Sequence, residues 1–225
     1  LHDRRDGHKR GMVFAREAAL RAIGFFRDVL RLNGGEFEGL PFELLDWQQF
    51  VVGSVYGWKT ADGWRRFRVV YVETAKGSGK SPLAAGVGMY GLVADSEARA
   101  EVYAAATKKD QAMVLFRDAV AMWQQSPVLN AALTPSGVGE RVWNLAYSRG
   151  GSFFRPISAD DGQSGPRPHV ALVDEVHEHR TNTVVEMLRA GTKSRRQALI
   201  FMITNSGASK TSPCWAYHDY AAKVC

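Results

Sequence analysis

Little in this chain is available for crosslinking or for crossing a bilayer. Its 225 residues include two cysteines, Cys214 and Cys225. That is too few for a disulfide framework, and the setting it implies is reducing and cytoplasmic. No apolar run approaches the roughly 18 residues of a membrane-spanning helix, so no membrane partner is expected. The opening Leu1-His2-Asp3-Arg4-Arg5-Asp6 lacks the apolar centre of a secretory signal. It also lacks an initiator methionine, and the expectation is a fragment or a processed chain. Internal repeats and low-complexity tracts are missing as well.

There is no acidic excess either. Lysine and arginine number 29 against 23 aspartates and glutamates, a net charge of +6. That balance favours polyanionic partners such as nucleic acid, through the summed field and counterion release, but charge alone does not choose among them. An apolar fraction of 45% and a charged fraction of 23% are those of an ordinary globular protein. The length suits one large domain or two small ones.

Residues 1–11 read as a charged arm. Apolar residues from Met12 to Leu32 recur at helical spacing (Ala15, Ala18, Ala19, Ala22, Ile23, Phe26), and Asn33-Gly34-Gly35 stops that helix. A second helix is expected from Phe42 to about Tyr56, a strand over 66–73 and a helix over 81–93. Glu101 to Ala106 reads as a buried strand, followed by a helix carrying Ala112, Leu115, Phe116, Ala119 and Trp123. Residues 129–147 read as irregular, with weak strand character near Arg141-Val142-Trp143. Strands are expected over 151–157, 169–173 and 198–203, helices over 183–190 and 215–224, and a polar loop over 160–166. Apolar strands without a polar side, alternating with helices, are the pattern of a largely parallel sheet covered on both faces.

Four stretches carry chemistry. The first is Val69-Val70-Tyr71-Val72-Glu73-Thr74-Ala75-Lys76-Gly77-Ser78-Gly79-Lys80-Ser81, a strand, a small-residue loop, then a helix. Backbone N–H groups from Lys76 to Ser81 suit a polyphosphate, with Lys80 on its β and γ oxygens and the Ser81 hydroxyl on Mg²⁺. Thr74 stands where the usual phosphate-loop pattern has its first glycine. The second stretch is Val170-Ala171-Leu172-Val173-Asp174-Glu175, a buried strand ending in two carboxylates. Such charges need a cation, and Mg²⁺ on Asp174 with Glu175 deprotonating a water meets that need. The third is Thr204-Asn205-Ser206, placed to sense a γ-phosphate or simply to cap a helix. The fourth is Gln48 beside Trp47: its amide matches the N6/N7 edge of adenine, but by itself it equally suits an ordinary amphipathic helix. His177-Glu178-His179 has no third ligand nearby and is not read as a zinc site. Lys193, Arg195 and Arg196 are candidates for DNA phosphates or a solvated loop.

Together these residues resemble the ATPase domain of the large terminase subunit of tailed bacteriophages. The resemblance runs from about Phe42 to Gly207 and rests on Leu45-Asp46-Trp47-Gln48, Glu73 to Ser81, Val173-Asp174-Glu175-Val176-His177-Glu178 and Thr204-Asn205-Ser206. The family's phosphate loop also lacks the first glycine and carries a basic residue at the position of Lys76. The resemblance implies an α/β P-loop NTPase fold of the RecA/ASCE type, three-layered, with a mainly parallel central sheet and flanking helices. It implies that Thr74, Ala75, Lys76, Gly77, Ser78, Gly79, Lys80 and Ser81 bind ATP, with Gln48 on the adenine and Lys76 as an extra basic contact. Asp174 and Ser81 would hold Mg²⁺, Glu175 would be the catalytic carboxylate, and Thr204, Asn205 and Ser206 the coupling motif. An arginine from a neighbouring subunit is expected at the γ-phosphate, Arg167 ahead of Arg155.

The function implied is a motor that hydrolyses ATP to drive double-stranded DNA into a procapsid. Its expected partners are a homo-oligomeric ring on the portal and the small terminase subunit. The expected location is the cytoplasm of an infected bacterium, transiently at the portal vertex. Residues 1–40 would form an arm and helix, and 41–225 the ATPase domain. The family's nuclease domain has no room before Cys225, so no DNA cutting is expected. Two alternatives stand beside this reading. One is a helicase-like ATPase, since Asp174-Glu175-Val176-His177 fits Asp-Glu-x-His. The other is a nucleotide-gated DNA-binding scaffold without turnover, against which Glu175 speaks.

Overall fold

A computed structural model describes residues 5–158 and 165–224. Its centre is a seven-stranded sheet in the order β3-β9-β8-β4-β7-β6-β5. The strands are β3 (Val69–Glu73), β4 (Glu101–Ala106), β5 (Thr134–Ser136), β6 (Asn144–Tyr147), β7 (Ser152–Ser158), β8 (Val170–Val173) and β9 (Leu199–Thr204). The first five in that order are parallel, while β6 and β5 extend the sheet antiparallel beyond β7. The α/β fold with a mainly parallel sheet is the one expected.

Strand alternation divides the core in two. Val102 and Ala104, Val170 and Leu172, and Leu199, Phe201 and Ile203 face one layer. That layer contains helices α1 (Arg16–Val29), α2 (Asp46–Gly57), α3 (Lys80–Val93) and α4 (Lys109–Gln125). Tyr103 and Ala105, Ala171 and Val173, and Ile200 and Met202 face the other, against α6 (Thr183–Gly191) and α7 (Pro213–Val224). Successive side chains of a strand point to opposite faces, so strands apolar throughout need cover on both.

Several boundaries differ from the sequence expectation. The first helix spans Arg16–Val29, not Met12 to Leu32. Before it, Val13–Phe14 forms β1 and pairs antiparallel with β2, Trp58–Lys59; the Phe14 ring meets Trp58 edge-on at 5.3 Å. After it, Leu30 is extended and fully buried, and the Leu32 N–H donates to the Leu40 carbonyl at 2.9 Å. Phe42 is extended as well, its N–H on the Leu30 carbonyl, and α2 begins only at Asp46. The stretch read as irregular holds a short helix, α5 (Pro127–Ala132), and the β5 and β6 strands. The expected weak strand at 141–143 is instead the end of a 3₁₀ turn, Gly139–Arg141, and its exit. Strands this short show no period of their own; β6 is decided by pairing with β7, and β5 by pairing with β6. The loop at 160–166 lies mostly outside the described residues, as does Cys225.

Among the described residues, the helix leaving the glycine-rich loop is the most deeply buried. In α3, Leu83 to Leu92 is buried without a break. Glycines allow it to lie between α1 and the sheet. A Cβ at Gly86 would come within 2.3 Å of the Phe26 ring, and one at Gly88 within 2.8 Å of Leu172 and Phe154. Phe26 cannot easily yield, because it is fully buried and held edge-on by Phe42 at 5.3 Å. Gly86→Ala gains about 1 kcal/mol of helix propensity but overpacks a full core, which costs about 1–3 kcal/mol. A lower urea midpoint with an unchanged m-value is the expected outcome; an unchanged or higher midpoint would show that Phe26 has room to move.

Candidate active site at the carboxyl ends of β3, β9 and β8

Parallel strands bring their carboxyl ends to one edge of the sheet, and three of the four sequence stretches meet there. The loop after β3 turns through Gly77 and Gly79, at φ +81° and +80°. This is the left-handed region that glycine enters without a Cβ penalty. α3 starts directly after Gly79 with no side-chain cap, leaving its first N–H groups to whatever the loop encloses. The Ser78 hydroxyl is buried there and meets no acceptor or donor.

Lys80 reaches across the sheet edge. It is 5% exposed, and its Nζ donates to Asn205 Oδ1 at 2.7 Å and lies 4.0 Å from Glu175 Oε1. Asp174, also 5% exposed, accepts the Glu175 N–H at 2.8 Å through Oδ1. Burial, then the neighbouring Glu175 charge, push the Asp174 carboxyl up to about 6. Two adjacent carboxylates facing one ammonium leave a site short of positive charge. Asp174 therefore fits a divalent cation such as Mg²⁺, which takes one or two protein oxygens and completes its shell from phosphate and water. Among the described residues no group of three His, Cys, Asp or Glu could hold a metal by itself.

Glu175 adopts φ +47°, a left-handed backbone in a residue other than glycine, an arrangement that costs about 1–3 kcal/mol and clusters at functional sites. It precedes a 3₁₀ turn, Val176–Glu178. His177 Nδ1 lies 3.1 Å from Glu175 Oε2, and the His177 N–H donates to Thr204 Oγ1 at 3.0 Å. His179, buried, has its Nε2 3.1 Å from the Asp174 carbonyl, and burial lowers its pKa.

The Thr204-Asn205-Ser206 stretch touches all of its neighbours, because β9 lies between β3 and β8. Thr204 meets His177, Asn205 meets Lys80, and the Ser206 hydroxyl donates to Glu73 Oε1 at 2.7 Å. The Thr74 N–H donates to the Thr204 carbonyl at 3.1 Å.

Gln48 is brought to the loop in a particular way. Its Oε1 accepts the Leu45 N–H at 2.9 Å, its Nε2 lies 3.4 Å from the Gly79 carbonyl, and it is 2% exposed. The amide thus braces the start of α2 against the glycine-rich loop. Lys76 projects from the loop, exposed. Arg167 stands apart from all of these, before β8 at the amino-terminal edge of the sheet, where its N–H donates to Glu101 Oε2 at 2.8 Å. Arg155 stacks on Tyr103 and Phe153 in β7, 5.5 and 4.8 Å from the ring centres. Sequence reasoning assigned no role to Glu73 or His177, both inside motifs it quoted. The partners that tie them to the end of β9, Ser206 and Thr204, are 133 and 27 residues away, beyond any local signal.

Residues 46–223 match the family model described as the ATPase domain of the terminase large subunit. The structure is similar to the crystal structure of the HK97 bacteriophage large terminase, with a TM-score of 0.77 and 20% identity. That match covers 92% of this chain and 41% of the terminase, so this chain spans less than half of its length. It is also similar to the large terminase ATPase domain of Thermus phage P74-26, with a TM-score of 0.57, 19% identity, and 84% of this chain and 74% of that one covered. At these identities the structural likeness shows the fold. Protein YmfN of Escherichia coli K12 is 41% identical over 51 residues, 23% of this chain and 11% of its own.

The raised Asp174 pKa has a checkable sign. A carboxyl whose folded pKa lies above its unfolded value favours folding at low pH and loses that contribution as pH rises through about 6. Asp174→Asn is therefore expected to raise the melting temperature of the metal-free, nucleotide-free protein by several degrees at pH 7. The gain should shrink towards pH 4. A gain equal at both pH values would separate it from ionisation of Asp174.

Proposed function

This chain belongs to the family of terminase large subunit ATPase domains, and from that premise we propose that its site hydrolyses ATP with Mg²⁺ to drive double-stranded DNA into a procapsid. The observation that carries the proposal is Lys80, buried and shared between Asn205 and Glu175 beside Asp174. A loop, an acid pair and a polar sensor from three separate strands meet at one ammonium.

Backbone N–H groups of the loop and α3 take the phosphates, with Lys80 and Lys76 supplying charge and the Ser78 hydroxyl a further donor. Asp174 and the Ser81 hydroxyl would hold Mg²⁺, which when bound would neutralise charge developing on the phosphate oxygens. Glu175 takes the proton of the attacking water; its backbone is left-handed and its carboxylate lies 4.0 Å from the Lys80 ammonium. Gln48 braces the loop through Gly79, and adenine would be read by the amide N–H and the oxygen lone pair that its two bonds leave over. Thr204, Asn205 and Ser206 register whether the phosphate is present.

Oligomeric and cellular roles extend the same reading. Residues 1–40 are an N-terminal arm and helix, and residues 41–225 the ATPase domain. Subunits form a ring on the portal, with the small terminase subunit as partner, in the cytoplasm of the infected host and transiently at the portal vertex. Arg167 is exposed, forms no ion pair among the described residues and lies away from its own Lys80. Those features suit an arginine offered to a neighbour's γ-phosphate. Among the described residues no helix is long and apolar enough to cross a membrane.

Glu175→Gln is expected to retain nucleotide binding, read by equilibrium titration with a fluorescent ATP analogue. It should lose steady-state hydrolysis by about 10²–10⁴-fold, the usual contribution of a positioned base. Turnover within a few-fold of wild type would remove that role. If Arg167 acts in trans, specific activity should climb with protein concentration, and Arg167→Ala should remove that climb while matching the wild type at high dilution. Activity per subunit that stays flat on dilution would count against a shared site.

A further inference from the structure

Glu73 is the last residue of β3, one position before the phosphate loop, and both of its carboxylate oxygens are engaged. Oε1 accepts the Ser206 hydroxyl at 2.7 Å. Oε2 accepts the Tyr71 hydroxyl at 2.9 Å and lies 2.9 Å from Nδ1 of His218, on α7. Three hydrogen bonds to the ionised form hold its pKa below the ordinary carboxylate range in spite of partial burial. The same strand grips α7 twice more. The Tyr71 hydroxyl is 3.3 Å from the Cys214 carbonyl and stacks its ring on Tyr217 at 5.8 Å. On the helix itself, Trp215 stacks on His218 at 5.1 Å.

We propose that Glu73 is a positioning residue that carries the state of the nucleotide site to α7, with Ser206 as its input and His218 as its output. The inference rests on the reading of this site as an ATPase and names the element that reading leaves unassigned. The physical path is short. Lys80 holds Asn205, and a phosphate that attracts the Lys80 ammonium takes away the partner of Asn205 Oδ1. Asn205 and Ser206 are consecutive, so a shift at one changes the hydrogen bond that the other makes to Glu73. Glu73 is anchored by β3 and cannot follow freely. The strain therefore falls on its bond to His218, whose helix is the mobile partner: α7 has one buried residue, Cys214, whereas α3 has eleven. Helices with few buried contacts are the elements that shift at low free-energy cost. The contacts on this path are all made in the structure: Lys80 to Asn205, Ser206 to Glu73 and Glu73 to His218.

Hydrogen exchange by mass spectrometry tests this on the wild-type chain with Mg²⁺ and either ADP or the non-hydrolysable analogue AMP-PNP. Residues 74–82 should be protected by both nucleotides, and the exchange rates of α7 amides should differ several-fold between the two states. In Ser206→Ala and His218→Ala the loop should stay protected while the α7 difference collapses. Glu73→Gln keeps the hydroxyl partners but removes the charge facing His218, and should leave an intermediate difference without loosening the helix. An α7 that ignores nucleotide identity while the loop responds would overturn the inference alone, as would a full α7 response in all three variants. A loop that gains no protection from either nucleotide would overturn the ATPase reading and the inference with it.

Discussion

The buried ammonium of Lys80 is the point on which this site depends. A lysine that is 5% exposed is tolerable only where acceptors surround it. Here they come from strands distant in sequence, Asn205 after β9 and Glu175 after β8. Lys80 is also the first residue of α3, so its position is fixed by the best-packed helix in the molecule. The glycines that let α3 lie against Phe26, Leu172 and Phe154 therefore act on chemistry as well as on packing. Displacing the helix by a methyl group would move the cation that joins the three strand ends.

The place of β9 in the sheet gives the site its second property. The strand carrying the acid pair does not neighbour the strand entering the loop; β9 runs between them. Whatever stands at the end of β9 must therefore touch both sides. Thr204 reaches the His177 turn, Asn205 reaches Lys80 and Ser206 reaches Glu73. These three small polar residues turn a sheet edge into a continuous hydrogen-bonded line from the acid pair to α7. Their short side chains suit that work, since each spans one gap without the rotamer freedom of a longer residue.

The arginines show how the two edges of the sheet differ. Among the described residues, the carboxyl edge holds one buried cation, Lys80, among acceptors. At the amino edge Arg65 and His169 share Asp95, both fully buried, while Arg195 bonds Glu97 at 2.8 Å. Arg167 joins that edge through its backbone, leaving its side chain outward. A parallel sheet separates the two sets by the length of its strands, so one chain cannot bring Arg167 to its own Lys80.

The sequence by itself determined the local chemistry and the layer architecture. Apolar runs such as 170–173 and 199–203 demanded cover on both faces. Gly77, Gly79 and Lys80 specified a tight glycine-rich loop opening a helix, and Asp174-Glu175 ended a strand in charge. Each is a property of about ten consecutive residues. Only the tertiary structure decided that β9 stands between β3 and β8, that β5 and β6 extend the sheet past β7, and that Glu175 takes a left-handed turn. It alone brought Gln48 to the Gly79 carbonyl and His218 to Glu73. Strand order is set by which apolar surfaces bury one another across the whole chain. A hydrogen bond between residues 73 and 218 exists only after that burial is complete, and no window of sequence contains both partners.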